Sequence, residues 1–297
     1  MIVINCWIKM NKPVVSCIIT TYNRPQRIAS ALETVLNQSY QNFEILVVDG
    51  ANLEQNQIEV ARYQRYDHRI KYVQVEPEAV DMYSMFGVQH SRNVGCKQAK
   101  GEWIAMLDDD DSWDTTKLKK QIKVAQEDPE IGIVISHAKD IEPFGEFVET
   151  PTSEPTYKDL LQSFNLAPTS TFLIRRDLLE KVGWWNETLR GAHEYDIALK
   201  ISKLGYKIIT VPEILMYRYR SFNQERRYYY IKIAEVLDFW KYYGDDILSN
   251  LGYFGFIKNV AKTLVLFSLF MLGFIVKGKI WKVIYPLKQI YSQGEIK

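Results

Sequence analysis

Cysteine is scarce in this chain: Cys6, Cys17 and Cys96 are the three among 297 residues. They make no CxxC pair and no even set, which excludes a disulfide framework and points to reduced thiols in a cytosolic environment. With only four histidines beside them, the chain offers no zinc constellation. Charge of one sign is lacking too. Lys plus Arg number 37 and Asp plus Glu 36, a formal net charge of +1, so no nucleic-acid partner is expected, because a broad nucleic-acid-binding face carries a clear positive excess. There is no internal repeat and no low-complexity tract. Residues 1–12 hold a short apolar patch, but Lys9 and Lys12 follow it instead of preceding it, and no small-residue cleavage site is present. The segment is an N-terminal extension rather than a signal peptide.

What is present is an ordinary packed composition, 47% hydrophobic and 25% charged, which excludes long disorder and a multi-span membrane protein. The length suits one large domain or two small ones. The charge is unevenly placed: from Gly252 to Lys297 there are seven lysines and one acid, a balance of +6, which leaves −5 for the first 251 residues.

Val14–Thr20 is an unbroken β-branched and apolar run, suited to a strand buried on both faces. Pro25 suits the first turn of a helix, and Ile28, Ala31, Leu32, Val35 and Leu36 recur at helical spacing. Further buried strands are predicted at Phe43–Val48, Ile70–Val75, Glu102–Leu107 and Ile131–Ser136, with helical patterns over 80–99 and Thr116–Glu127. Strands alternating with helices predict an α/β fold with a mostly parallel sheet. The second half predicts a strand at Thr169–Ile174, a helix at Arg176–Val182, a helix at Glu194–Leu204 stopped by Gly205, a short strand over 207–211 and a long aromatic-rich helix from Arg226 to Tyr243.

In an open α/β sheet ligands bind beyond the carboxyl ends of the strands. Asp49 and the run Asp108-Asp109-Asp110-Asp111 both fall there. Four successive carboxylates repel one another, and a hard cation with oxygen ligands, Mg²⁺ or Mn²⁺, is one solution. A solvated acidic loop, or a helix N-terminus that favours negative charge, is the other.

The order of segments decides between them. Val14–Arg24 is followed by Ser30–Ser39, Phe43–Gly50, Ser91-Arg92-Asn93-Val94-Gly95, Gly101–Asp111, Leu173–Gly183 and Gly191–Ile197. This succession resembles the family 2 glycosyltransferases, over roughly residues 13–222. The resemblance implies a GT-A fold over 13–225 and a nucleotide-diphosphate sugar as donor, with a UDP-sugar favoured. It implies that Thr21, Tyr22 and Arg24 lie against the nucleotide, that Asp49 hydrogen-bonds the base, and that Arg92 or Asn93 helps to hold the nucleotide. Asp110 matches the metal-binding position of the DxD element, with Mn²⁺ or Mg²⁺ as cofactor and Asp108 or Asp109 on the ribose or sugar.

The family's acidic pair, which supplies the base, falls on His193-Glu194. Glu194 is the expected base, Asp196 the second candidate, and His193 a polar residue near the acceptor. The first aspartate element has one acid, Asp49, where the family usually has two. Arg218 and Arg220 could clamp diphosphate or lie on a basic loop. Trp184 and Trp185 could stack on the acceptor sugar or pack in the core. The implied activity is a metal-dependent, inverting transfer to a hydroxyl of a glycan or polyprenyl-linked acceptor. The alternatives are a catalytically weak sugar-nucleotide-binding subunit of a glycan assembly complex and, on a related sheet, a nucleotidyltransferase.

Residues 226–297 form a separate C-terminal segment. Thr263–Val276 is an uncharged run of 14 residues between Lys262 and Lys277. As a helix it reaches about 21 Å, short of the roughly 30 Å hydrocarbon core. The favoured reading is a helix lying in the cytoplasmic leaflet, with lysines on anionic headgroups and Trp281, Tyr285 and Tyr291 in the interfacial belt. A short tilted span and a soluble helix are the other two. The membrane contact is expected through residues 253–291, at the inner face of the cell membrane.

Overall fold

A computed structural model of the chain describes residues 14–76, 87–142, 145–162, 166–189, 191–219 and 237–255, with 257, 258, 261 and 265 beyond them. The first half is built from parallel units: β1 (Val15–Thr21), α1 (Pro25–Leu36), β2 (Phe43–Asp49), α2 (Glu54–Gln64), β3 (Ile70–Gln74), α3 (Gly87–Gln98) and β4 (Trp103–Asp108). The second half holds β5 (Asp111–Trp113), α4 (Lys117–Ala125), β6 (Ile131–Glu142), β7 (Gly145–Glu149), α5 (Tyr157–Gln162), a 3₁₀ turn (Thr169–Thr171), β8 (Leu173–Arg175), α6 (Arg176–Lys181), α7 (His193–Lys203) and β9 (Lys207–Tyr219). A further helix occupies 237–255.

One sheet runs β3-β2-β1-β4-β8-β6-β9-β5, with β7 on β6. β1 pairs in parallel with β2 and β4, and β2 with β3, as βαβ units require. Beyond β4 the pairing is mixed: β8 is antiparallel to β4 and β6, β9 is parallel to β6, and β5 is antiparallel to β9. Side chains alternate between two faces. Ile18, Leu46, Val48, Ile104 and Met106 pack against Cys96, Leu178, Leu179, Ile197 and Phe239. Cys17, Ile19, Ile45, Val47, Ala105 and Leu107 pack against Ile28, Leu32, Val35, Leu118 and Ile122. These strands are covered by helices on both faces, which is why they read as continuous apolar runs.

The sheet is curled. β5 starts three residues after β4 ends, yet four strand steps separate them in the sheet order. Four steps across a flat sheet cover about 19 Å, whereas three residues reach about 10 Å. The β4 end and β5 therefore meet, and the run Asp108–Asp111 is the corner between them.

Three expectations change. Thr169–Ile174 is not one strand: Thr169–Thr171 is a 3₁₀ turn that leads into the short β8. Pro168 sets the entry at φ −60°, and the Thr171 hydroxyl donates to the Pro168 carbonyl at 2.7 Å, a local bond that competes with a sheet ladder. The strands predicted over 131–136 and 207–211 continue to Glu142 and Tyr219, because β6 and β9 pair with each other along their length through register shifts near His137. The helices α2 and α5 were not predicted. The extension 1–12, Arg220, all of 226–236 and most of 256–297 lie outside the described residues. Among the described residues no helix is long and apolar enough to cross a membrane.

Candidate active site

The site forms where β1, β2 and β4 end. Thr21, last in β1, donates its hydroxyl to Asp109 Oδ2 at 2.8 Å. Arg24, at the start of α1, reaches Asp109 at 3.0 Å and Asp110 at 3.1 Å, and Arg27, one turn on, reaches Asp110 at 3.1 Å. Burial pushes the Asp109 carboxyl up to about 6, against the pull of Arg24 and Thr21. Burial, with the neighbouring Asp108 carboxylate, pushes Asp111 well above the ordinary range. Asp111 takes the Ser170 hydroxyl on Oδ2 at 2.5 Å, while its Oδ1 has no partner.

Tyr22 stands beside Gly50, the residue that follows Asp49. A Cβ at Gly50 would lie 3.3 Å from the Tyr22 ring, and Tyr22 itself is 42% exposed. The Asp49 carboxylate is buried and already accepts the Ala51 and Leu53 N–H groups at 2.9 and 3.0 Å and the Tyr72 hydroxyl at 2.7 Å. It shapes the turn into α2.

Arg92 is the central cation. α3 comes close to β1 and β2 because Gly95 has no side chain: a Cβ there would sit 2.7 Å from Val48 and 2.8 Å from Ile18. Arg92, one turn earlier, is buried, pairs with both Asp108 oxygens at 2.9 and 3.1 Å, and lies 5.1 Å from the Trp185 ring centre. Its Nε has no partner. Asp108 also takes the Thr20 hydroxyl at 3.2 Å.

Glu194 enters from the first turn of α7, after Ala192 in the left-handed region at φ 55°. Its carboxylate accepts the Thr169 hydroxyl. Burial alone would raise its pKa, but the Arg92 guanidinium and the Thr169 hydrogen bond hold it below the ordinary range. His193 is pushed down to about 4, mainly by burial, so its imidazole is neutral at pH 7. Its Nδ1 has no partner. An ionised Glu194 beside a neutral His193 can accept a proton from an incoming hydroxyl.

The structure ties several expected residues to partners within the protein. Asn93 is a strut: its amide donates to the Trp185 carbonyl at 2.9 Å and to Glu187 at 2.6 Å, and its oxygen accepts the Trp185 N–H at 2.9 Å. Trp185 is buried in the core and Trp184 packs partly against it, so the Trp185 ring is core packing rather than a sugar platform. Asp196 is buried and held by Lys200 at 2.7 Å and by the Tyr243 hydroxyl at 2.6 Å. Arg218 lies inside β9, not in a loop, and grips Asp140 through two bonds of 2.8 Å and Glu149 through a third of 2.8 Å. Thr169 and Ser170 were missed. The signal was Pro168 followed by three hydroxyl residues, a turn-forming pattern rather than a strand start.

A divalent cation would find oxygen donors here. Asp108 and Asp110 are the more exposed of the run, at 33% and 23%, and no set of three or more candidate ligands gathers among the described residues. One or two carboxylates, completed by diphosphate oxygens and water, is the way Mg²⁺ is commonly held.

Residues 16–183 match the family model described as Glycosyl transferase family 2, and residues 103–290 match Glycosyl transferase family group 2. An uncharacterized glycosyltransferase of Haemophilus influenzae is 28% identical over 63% of this chain, and the match spans 61% of that relative's length. The putative teichuronic acid biosynthesis glycosyltransferase TuaG of Bacillus subtilis is 28% identical over 71% of this chain and 81% of its own. Two solved structures share the fold. The mannosyltransferase PcManGT from Pyrobaculum calidifontis, in complex with GDP-Man and Mn²⁺, matches with a TM-score of 0.60 at 19% identity over 95% of this chain and 85% of that one. TarS 1–349 of S. aureus, in complex with UDP-GlcNAc, matches with a TM-score of 0.57 at 21% identity over 76% and 66%. The shared architecture is the GT-A fold.

Proposed function

The chain belongs to glycosyl transferase family 2, and from that premise we propose that it moves a glycosyl group from a nucleoside-diphosphate sugar, a UDP-sugar by preference, to a hydroxyl of a glycan or polyprenyl-linked acceptor, with inversion at the anomeric carbon. One observation carries this reading. Arg92 pairs with Asp108 at the β4 end and lies within electrostatic reach of Glu194 on α7, so the donor-side acids and the base share one rim.

Thr21, Tyr22 and Asp49 receive the nucleoside, and Arg24 and Arg27 face the diphosphate. Asp110, with Asp108, would hold Mn²⁺ or Mg²⁺. That ion supplies Lewis-acid neutralisation of charge on the departing diphosphate. Glu194 takes the proton of the acceptor hydroxyl. The acceptor oxygen bonds to the anomeric carbon as the bond to the diphosphate oxygen breaks, and that electron pair leaves with the nucleoside diphosphate. Opposite-face attack inverts the configuration.

The acceptor class draws support from the teichuronic acid biosynthesis in the name of TuaG. The basic tail supports a site of action at the inner face of the membrane, reached through residues 253–291. In the helix at 237–255 and just beyond it, Tyr253, Phe254 and Ile257 are exposed, which suits an interfacial rather than a core-packed surface.

The test is thermal-shift binding of UDP, GDP, dTDP and CDP with and without Mn²⁺, since a ligand of the native state raises the midpoint by mass action. The expected result is a metal-dependent shift with UDP that Asp110→Ala abolishes, and nucleotide release that collapses in Glu194→Gln. Wild type that binds a nucleotide yet never transfers to any acceptor or to water would favour a binding subunit instead.

A further inference from the structure

The 3₁₀ turn Thr169–Thr171 touches both halves of the site. The Thr169 hydroxyl donates to Glu194 Oε1. The next side chain, Ser170, accepts the backbone N–H of Asp108 on its Oγ at 3.1 Å and donates to Asp111 Oδ2 at 2.5 Å. Two adjacent hydroxyls therefore reach α7 on one side and the β4–β5 corner on the other.

The turn is fixed from below. The Trp113 indole N–H donates to the Ser170 carbonyl at 2.8 Å. The Gln121 carboxamide donates to the carbonyls of Thr171 and Val134 at 2.7 and 3.0 Å, and its oxygen is taken by Lys117 at 2.7 Å. Thr169, Ser170 and Thr171 are all buried. Three buried hydroxyls in a row would be costly without partners, and here each has one.

We propose that Thr169 and Ser170 are positioning residues for the transfer reaction, the first aiming the Glu194 carboxylate at the acceptor hydroxyl and the second holding the Asp108–Asp111 corner at a set distance from it. The inference rests on the reading of Glu194 as the base. Thr169 gives up no proton: its hydroxyl occupies Oε1 and leaves the carboxylate's other oxygen to receive the acceptor's proton. A hydrogen bond to the ionised form also favours that form. The groups that face this carboxylate are Arg92 from α3, its own neighbour His193 and the Thr169 hydroxyl. Asp108 from β4 and Asp238 from the helix at 237–255 act on His193.

The experiment uses the full chain as wild type, Thr169→Val, Thr169→Ser and Glu194→Gln. The Glu194 carboxyl is titrated by ¹³C NMR on glutamate-labelled protein, its signal assigned by its absence in Glu194→Gln. Nucleotide release from UDP-GlcNAc and from GDP-mannose is followed in parallel. The expected result for Thr169→Val is a Glu194 titration raised by about one pH unit, kcat down about tenfold and the donor KM unchanged, with Thr169→Ser restoring both readouts. An unmoved titration in folded Thr169→Val overturns the inference. So does an unchanged kcat while Glu194→Gln is dead. Should Thr169→Val fail to fold by circular dichroism, Thr169→Ala is read by the same criteria. Full turnover in Glu194→Gln would sink the base reading itself, a result distinct from either of these.

Discussion

The Tyr243 hydroxyl donates to Asp196 Oδ1 at 2.6 Å, and Lys200 closes on Oδ2 at 2.7 Å. The helix at 237–255 is thereby tied to α7 two residues after Glu194, with Phe239 and Ile247 buried beside the contact. Two acids in the first turn of α7 have thus been given different work.

Asp196→Asn and Tyr243→Phe test that division. Tyr243→Phe removes a hydrogen bond to the buried carboxylate, and Asp196→Asn discharges that carboxylate and its Lys200 pair, a loss of about 2 kcal/mol in each case. The thermal midpoint should fall by roughly 5 °C. Turnover of the folded variant should stay within about threefold of wild type, whereas loss of a general base costs about 100-fold or more. Differential scanning calorimetry beside a rate assay decides it. An Asp196→Asn protein of normal midpoint and no turnover would make Asp196 the base.

Much of this was legible in the sequence. Val15–Thr21, Phe43–Asp49 and Trp103–Asp108 are strands buried on both faces, and a continuous apolar run carries that information locally. The residues that meet at the rim, Thr21, Arg24, Asp108–Asp110, Arg92 and Glu194, came from the order of motifs. What stayed hidden depends on distant pairing. Arg218 follows a short apolar strand and reads as loop, but the β6 partner extends that strand and offers Asp140. Asn93 reads as a nucleotide ligand until the Trp184-Trp185 loop arrives from 92 residues away to take both ends of its amide. No local pattern could announce that Thr169 faces Glu194.

Arg218 grips Asp140 and Glu149 within the sheet. Asp140 is fully buried, and both its oxygens rest on this guanidinium. Breaking a buried ion pair by removing one partner costs about 3–5 kcal/mol. Arg218→Met should therefore lower the denaturation midpoint in urea strongly. Among molecules still folded, the affinity for UDP should be unchanged. A large loss of UDP affinity with normal stability would return Arg218 to the diphosphate.

Lys117 makes stability depend on pH in the alkaline range. Its ammonium is fully buried, 4.2 Å from the Trp113 ring centre, with Gln121 as hydrogen-bond partner. Burial pushes its pKa down from 10.5 to about 7. Between those values the unfolded chain holds the proton and the folded chain does not, so this residue's contribution to stability rises with pH, by about 1.4 kcal/mol per unit. Below about 7 the contribution is flat. Lys117→Met removes the dependence. The stability difference, Lys117→Met minus wild type, should grow more positive as pH falls from 10 to 7 and then level off. Parallel pH profiles for the two proteins in urea unfolding would show that Lys117 keeps an ordinary pKa.

Phe254 is 82% exposed and Tyr253 74%, at the end of a helix whose earlier residues Phe239, Tyr243 and Ile247 are buried. The helix is thus covered by protein at one end and carries bare aromatics at the other, near the exposed Lys258 and at the start of a segment whose balance is +6. On a lipid surface such rings enter the headgroup region while lysines meet anionic lipid. The full chain should sediment with vesicles containing phosphatidylglycerol and be released as salt rises, because exposed charges are screened. Phe254→Ser should weaken that partition about tenfold, the scale of one buried phenyl side chain, and leave the thermal midpoint alone, since the ring buries little in the folded protein. A wild type that stays in the supernatant with anionic vesicles at low salt would remove the membrane from the proposal. A Phe254→Ser protein that loses several degrees of stability would mean that protein, not lipid, covers the ring.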